Sequence, residues 1–137
     1  MTALHDWNRS IIEEFRAHEG RVGGQFEGAT MLLLTHIGRK SGEKRTNPLV
    51  YFGEGDVMYI FGSKGGAPTN PDWYLNLLAH PDVSVEVGTE TFDVTATEVT
   101  GPERDRIYAA NAALRPGFAT YQQNTTRKIP VIALRRK

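Results

Sequence analysis

Short apolar runs of strand length, broken by glycine-containing turns, limit the folds that this sequence can adopt. In one of them Val83, Val85 and Val87 alternate with polar residues, which is typical of a half-buried strand. Several neighbouring runs are only a few residues apart, whereas parallel strands need crossovers of a dozen residues or more. The pattern therefore predicts an α+β fold whose mostly antiparallel sheet closes into a barrel. The six predicted strands comprise residues 31–37, 45–52, 57–61, 83–87, 92–96 and 129–134.

The first three strands are expected to form an antiparallel meander with a hairpin turn at residues 53–56, and helices are predicted at residues 6–17, 71–79 and 101–114. A length of 137 residues suits a single domain, 1–137. The helix within residues 1–20 carries the apolar residues Trp7, Ile11, Ile12 and Phe15, and the last three form a stripe at helical spacing. It is a candidate flap over a ligand, and the alternatives are contact with a partner or with a membrane surface.

The charge is balanced overall, with 16 basic and 16 acidic residues, which argues against a nucleic-acid surface. Four bases nevertheless crowd together at Arg39, Lys40, Lys44 and Arg45, which favours a local anion site. The chain has no cysteine, and its four histidines lack metal-binding spacing, so we expect no metal. No signal sequence is apparent, and no apolar run approaches the roughly 20 residues of a membrane span. We therefore expect a cytoplasmic protein.

Two glycine loops are the candidate anion sites. The first, Gly38-Arg39-Lys40-Ser41-Gly42, places two cations and a hydroxyl between glycines at a strand end, and Arg45 follows it. The second, residues 62–69, contains Ser63-Lys64-Gly65-Gly66 and precedes a helix that Asn70 is expected to cap. The alternative for each is a solvated basic turn. If the first three strands are adjacent, both loops lie at one site.

The sequence lacks the residues of the common catalytic machineries. The spacing of a P-loop, a Rossmann fingerprint, a G-x-S-x-G elbow or an H-E-x-x-H helix does not occur. A cofactor site without a nucleophile or metal indicates that the cofactor carries the chemistry. Asn47 and Pro48 interrupt a predicted strand, and proline in a strand is found at an edge or a bulge. This favours a ligand near residues 47–49.

Four motifs follow one another along the chain. They are Gly38-Arg39-Lys40-Ser41-Gly42, Arg45-Thr46-Asn47-Pro48-Leu49, Ser63-Lys64-Gly65-Gly66-Ala67 and Asn70-Pro71-Asp72-Trp73-Tyr74-Leu75-Asn76-Leu77. Together they resemble the deazaflavin (F420)-dependent nitroreductase and F420H2-dependent quinone reductase family. The resemblance extends from about residue 15 to 132, and the ordered set is specific although each motif alone is weak. Members are actinobacterial oxidoreductases that use coenzyme F420, and the resemblance implies a split β-barrel like that of FMN-binding proteins.

The resemblance also assigns site residues by position. The phosphate and acidic tail of the cofactor would be held by Arg39, Lys40, Ser41 and Arg45. Thr46 would contact the cofactor next to the ring-lining residues Asn47, Pro48, Leu49 and Val50. From the second loop, Ser63 and Lys64 would contact the cofactor, and Trp73, Tyr74 and Asn76 would close that side.

On the substrate side, the sequence departs from the family pattern. Tyr121 is kept and is the candidate catalytic residue, with either Tyr121 or water as the proton donor. Phe118 and Val50, in contrast, stand where relatives carry tyrosines. The resemblance implies hydride transfer from F420H2 to a small hydrophobic electrophile, a quinone, enone or nitro compound. Two alternatives stay open, an FMN-binding reductase and a module that binds F420 or a lipid without turnover. The chain would be a monomer or a homodimer, and peripheral membrane contact stays open.

Overall fold

The computed structural model describes residues 3–23 and 30–137, which form seven strands, four helices and a short 3-10 turn. The helices are α1 (Ala3–Ala17), α2 (Asp72–Ala79), α3 (Gly101–Leu114) and α4 (Gly117–Gln123). The strands are β1 (Met31–Ile37), β2 (Lys44–Val50), β3 (Phe52–Glu54), β4 (Val57–Phe61), β5 (Asp82–Val87), β6 (Glu90–Val99) and β7 (Val131–Arg136). The 3-10 turn is Lys64–Gly66. No helix in these described ranges is long and apolar enough to cross a bilayer.

The strands form one antiparallel sheet in the order β2-β1-β5-β6-β7-β4-β3. The two strands at its ends, β2 and β3, are consecutive in the chain and are joined by the single residue Tyr51. A one-residue link cannot span a flat seven-stranded sheet, because successive Cα atoms lie about 3.8 Å apart. The sheet therefore curls until its first and last strands meet at Tyr51, and this closure makes a split barrel.

Apolar side chains fill the barrel and also cover its outside. The interior cluster contains Leu32, Leu34, Ile60, Val94 and Leu134, each at most 1% exposed, and Trp73 and Leu77 of α2 pack onto the same cluster. Tyr59, Phe61, Val131 and Ala133 point outward from β4 and β7 onto α3 and α4. The third cluster joins Phe15, Met31 and Leu33, so the predicted apolar stripe of α1 packs against β1. Alternation along each strand thus gives both faces of the sheet a core.

Three local predictions differ from the structure. Residues 45–52 are not one strand, because Tyr51 separates β2 from β3. These two strands lie at opposite edges of the sheet, so the predicted meander of three adjacent strands is wrong. No helix was predicted around Tyr121, but this segment forms the helix α4, which starts after Pro116. Asn70 does not cap α2, since Pro71 occupies the N-cap and the Asn70 Oδ1 atom accepts a hydrogen bond from Arg127 instead. The predicted antiparallel barrel with peripheral helices is confirmed.

Candidate functional site

A cleft of about 1200 Å³ opens where the barrel is split. Its walls come from β2, the second glycine loop, the start of α2, α4 and one side of α1. Four basic and two acidic side chains line it, namely Arg9, Arg16, Arg45, Lys64, Glu43 and Asp72. The apolar part includes Leu49, Val50, Phe61, Trp73 and Phe118. The cleft therefore offers an apolar slot together with an excess of positive charge, which suits a planar ring that carries anionic groups.

Strand β2 contributes more of this wall than any other strand. Arg45, Thr46, Asn47, Pro48, Leu49 and Val50 all line the cleft. Both faces of the strand can do so because β2 is an edge strand that pairs on one side only, with β1. Pro48 lies opposite Leu33 in that pairing, and its missing N–H is tolerated at an edge. Of the edge and the bulge that Pro48 indicated, the structure shows the edge, and the ligand near residues 47–49 stays a prediction.

The first glycine loop lies beside the cleft and does not line it. It is a tight turn in which the Gly42 N–H donates to the Gly38 carbonyl at 2.9 Å, and Gly42 adopts a positive φ of 71° that favours glycine. The Ser41 hydroxyl accepts a hydrogen bond from the Glu43 N–H at 3.2 Å. Arg39 and Lys40, like Ser41, are absent from the cleft wall. The charges that reach the cleft from this region are those of Glu43 and Arg45.

Arg39 is engaged by the protein itself. Its backbone N–H and its Nη1 atom both donate to the Asn76 Oδ1 atom, at 3.0 and 2.9 Å. Its guanidinium also lies 3.5 Å from the Asp72 carboxylate. These contacts dock the first glycine loop onto α2. The predicted cofactor residue Asn76 is thus 2% exposed and lies behind the cleft wall.

A buried histidine connects Asn76 to the cleft. The Asn76 Nδ2 atom lies 3.1 Å from Nδ1 of His36, and the His36 Nε2 atom lies 2.7 Å from Oδ1 of Asn47. Burial lowers the pKa of His36 below its ordinary value of 6.5. The positive charge of Arg45 lowers it further, while the bond to Asn47 and the charge of Asp72 oppose the shift. His36 is therefore neutral at physiological pH.

The second glycine loop reaches the cleft through Ser63 and Lys64. Lys64 adopts a positive φ of 48°, which costs a non-glycine residue on the order of 1 kcal/mol. The Lys64 Nζ atom donates to the Thr69 hydroxyl at 3.2 Å. Such strain persists only where the surroundings fix the backbone, and it often marks a functional position.

Arg127 supplies those surroundings. Its guanidinium donates to the carbonyl oxygens of Gly62, Ser63 and Ala67, at 3.0, 2.8 and 2.8 Å, and to the Asn70 Oδ1 atom at 2.8 Å. One side chain thus holds both ends and the middle of the second loop. Sequence reasoning missed Arg127, because it follows this loop by about 60 residues and belongs to no motif.

On α2, Trp73 and Tyr74 face different surroundings. Trp73 is 7% exposed, lines the cleft and packs on the interior cluster. Tyr74 does not line the cleft, and its hydroxyl donates to the Glu98 carboxylate on β6 at 2.8 Å. Burial, together with this bond to Glu98 and its charge, raises the pKa of Tyr74 to about 12. Trp73 is therefore the aromatic residue of α2 that a ligand would meet.

Helix α4 carries the candidate substrate residues Phe118 and Tyr121, and both line the cleft. Their rings meet edge to face with centroids 5.3 Å apart. The second glycine loop packs on this helix at Gly66, where an added Cβ atom would lie 2.9 Å from the Tyr121 carbonyl oxygen. Gly66 also has a positive φ of 84°, which residues with a side chain rarely adopt. Both the close contact and the backbone conformation therefore require glycine at this position. The structure thereby brings Tyr121 next to Ser63 and Lys64 in one cleft.

Helix α1 closes the side opposite the second loop. Asn8, Arg9, Ile12 and Arg16 line the cleft, and none of them was a predicted site residue. Arg16 makes a two-pronged ion pair with Glu86 of β5, with Nε–Oε1 and Nη2–Oε2 distances of 3.0 and 2.8 Å. The apolar stripe of α1 was the sequence signal for its docking, but its polar edge gave no indication of a role in the cleft.

The curled sheet and the cleft at its split define a split β-barrel cofactor protein. A family model described as F420H(2)-dependent quinone reductase matches residues 7–136. The chain belongs to this F420H(2)-dependent quinone reductase family. It is accordingly an oxidoreductase, and coenzyme F420 is the one of the two candidate cofactors that the family implies. The resemblance drawn from the four motifs is confirmed.

Individual relatives agree with the family assignment. The F420H(2)-dependent quinone reductase of Mycobacterium tuberculosis (strain ATCC 25618 / H37Rv) is 41% identical over 129 residues, which cover 90% of this chain and 85% of that protein. The solved structure of an F420-H2 dependent reductase (FDR-A) is 40% identical with a TM-score of 0.70, covering 77% of this chain and 93% of that one. A structure described as a domain-swapped dimer is 35% identical with a TM-score of 0.73 and covers 96% and 99% of the two chains.

Proposed function

We propose that this protein reduces quinones with F420H2 as the hydride donor. The observation that carries the proposal is the cleft itself, which combines apolar walls, four basic side chains and the Tyr121 ring at the split of the barrel. The similarity to the M. tuberculosis F420H(2)-dependent quinone reductase supports the quinone as acceptor. Reduced F420, when bound, supplies a hydride from its deazaflavin ring.

The residues of the cleft fit that cofactor. Coenzyme F420 combines a planar ring with a phosphodiester and a glutamate tail, so it needs an apolar slot that continues into a basic groove. Pro48, Leu49, Val50 and Trp73 supply the apolar walls. Arg45 and Lys64, from opposite sides of the split, supply positive charge and flexible donors for phosphate oxygens. The apolar walls thus suit the planar ring of F420, and the basic side chains suit its anionic tail.

Residue roles follow from position in the cleft. Thr46 and Asn47 would present polar groups to the ring edge, and Ser63 would donate its hydroxyl beside Lys64. Lys40 is exposed and would meet the solvent end of the acidic tail. We assign Arg39, Ser41 and Asn76 to shaping the first glycine loop, because their hydrogen bonds already join that loop internally or to α2. Tyr74 would act as a structural residue through its bond to Glu98.

Tyr121 would deliver the proton that completes quinone reduction. Its ring lines the cleft beside Phe118, and its phenol is the hydroxyl that the lining residues of α4 offer to an acceptor. A positioned general acid contributes typically 10²- to 10⁴-fold to a rate. The other side chains of this wall would exclude water and hold the acceptor against the ring.

Anaerobic oxidation of F420H2, followed by absorbance with and without menadione, tests the proposal. We expect turnover that depends on the quinone, and a fall in kcat of about 100-fold in Tyr121→Phe with unchanged F420 affinity. Tyr74→Phe is the matched control, because its hydroxyl lies outside the cleft. Failure of the wild type to oxidise F420H2 with any quinone would refute the function. A Tyr121→Phe enzyme with wild-type kcat would assign proton delivery to water.

Enones and nitro compounds are further acceptors that we propose for the same slot, since each presents an electrophilic atom next to a planar apolar body. They are tested in the same assay in place of menadione.

We also propose that residues 1–137 form a single domain in which α1 covers one side of the cleft, as its ion pair with Glu86 suggests. A homodimer is the proposed assembly, supported by the related domain-swapped dimer, and light scattering on the eluted protein tests it.

A further inference from the structure

We propose that His36 is a positioning residue: its neutral ring orients the Asn47 amide in the cleft, and its protonation releases the first glycine loop. This inference rests on the proposed function, since it concerns how the F420 cleft is organised. His36 is 2% exposed and does not belong to any of the four motifs. It bridges two asparagines that lie 11 and 40 residues away in the chain.

The donors and acceptors in this chain of contacts have one consistent arrangement. The Asn76 Oδ1 atom accepts two hydrogen bonds from Arg39, so the Nδ2 group of Asn76 must face His36. An amide NH₂ group only donates, and Nδ1 of His36 must therefore carry the lone pair. A neutral imidazole with a free Nδ1 holds its proton on Nε2, and that N–H donates to the Asn47 Oδ1 atom at 2.7 Å.

The consequence appears at the cleft wall. Since Oδ1 of Asn47 is directed at His36, the NH₂ group is the part of this amide that remains available to a ligand. Asn47 lines the cleft, so the wall presents a fixed donor there. Its chemical complement is a carbonyl or another lone-pair acceptor on the edge of a bound ring. A rotated amide would present an oxygen and repel the same group.

Protonation of His36 disturbs this arrangement from the other end. An imidazolium donates from both nitrogens, so its Nδ1–H would face the NH₂ group of Asn76. Turning the Asn76 amide restores that contact but places its NH₂ group against the N–H donors of Arg39. One of the two contacts must be lost. If the Asn76 amide turns, the first glycine loop loses both Arg39 hydrogen bonds to α2 and keeps only the 3.5 Å ion pair of Arg39 with Asp72.

Charged groups around His36 act in both directions. Arg45 on β2 disfavours the imidazolium, Asp72 on α2 favours it, and Arg39 reaches His36 only through Asn76. Burial of the ring disfavours the charge as well. The neutral state is therefore the state of the working enzyme, and the released loop is an acid form.

The first experiment uses the ligand-free protein. Nitrogen-15 NMR of the imidazole at pH 7.5 should show His36 neutral, protonated on Nε2 and free on Nδ1. A protonated Nδ1 would overturn the proposal. Because no cofactor is present, this result stands apart from the proposed function, whose failure would appear as an absence of F420 binding and turnover by the wild type.

The second experiment measures F420 affinity by fluorescence titration from pH 5 to pH 8. Wild-type affinity should fall on acidification, and His36→Gln, whose amide can still donate to Asn47, should retain near-neutral affinity without the acid step. His36→Leu, which removes both contacts, should bind F420 about tenfold more weakly at every pH. His80→Gln, at an exposed histidine, is the control. Retention of the acid step in His36→Gln, or wild-type affinity in folded His36→Leu, would overturn the proposal.

Discussion

Replacing Arg127 by methionine should release the second glycine loop while leaving the barrel intact. The guanidinium donates four hydrogen bonds to oxygen atoms between Gly62 and Asn70. A hydrogen bond from a charged donor contributes about 1.5 to 3 kcal/mol when buried. Arg127 is half-buried and water can reach some of the released oxygens, so we expect a total cost of about 2 to 4 kcal/mol.

That cost should be local, because all four acceptors lie on one segment. Hydrogen exchange of the Gly66 and Ala67 amides, which donate to Ser63 and Lys64 carbonyls within the loop, should accelerate about 30- to 1000-fold. Amides of the β1–β5 pairing should exchange at the wild-type rate. F420 affinity should fall as well, because the apparent affinity is reduced by the fraction of molecules in which the loop is ordered.

Two further variants calibrate this result. Asn70→Ala removes one of the four acceptors and should cost about 1 kcal/mol. Arg135→Met removes an exposed arginine for which the described residues provide no side-chain hydrogen bond. It should leave the amide exchange rates and the F420 affinity unchanged. Unchanged exchange in Arg127→Met would refute the reasoning that these bonds order the loop. Equal acceleration throughout the sheet would show instead that Arg127 supports global stability.

Two other changes test packing and titration. Gly62→Ala places a Cβ atom 2.7 Å from the rigid Pro130 ring, so it should lower the free energy of unfolding in urea by about 1 to 3 kcal/mol. Gly117→Ala is the control, because the space around its Cβ position is open, and it should leave the free energy of unfolding unchanged. For Tyr74 the native pKa of about 12 exceeds the unfolded value of 10.0, so the unfolded chain loses this proton first and stability falls as pH rises between these values. Tyr74→Phe should show a shallower fall over the same interval; an identical slope would contradict the assignment.

Local sequence signals predicted the elements well and their assembly only in part. Pro48 indicated an edge or a bulge, and the glycines of the first loop indicated a tight turn, because both effects depend on the backbone of those residues alone. Arg45 and Lys64 were expected to lie at one site because the first three predicted strands were thought to be adjacent, which is wrong. They lie in one cleft because the barrel closes through the pairing of β4, β6 and β7, and no local sequence pattern contains that pairing.

Residues that act over long separations were the ones that sequence reasoning missed. His36 resembles any isolated histidine until Asn47 and Asn76 are placed beside it, and Arg127 resembles any exposed base until the loop that it binds is known. Conversely, Arg39 belongs to a basic motif, yet the structure uses it to fasten the loop to α2. Charge and motif position alone did not distinguish a ligand contact from an internal one.

Tyr51 limits how far apart the two edges of the sheet can lie where the chain passes from one to the other. It is the one residue between the end of β2 and the start of β3, so the Cα atoms of Val50 and Phe52 can be at most about 7 Å apart. Inserting one residue would lengthen that connection by up to about 3.5 Å without altering either hairpin. A chain with one residue inserted after Tyr51 would therefore keep both hairpins and every residue that lines the cleft, while the permitted distance between the two sheet edges at this point would be larger.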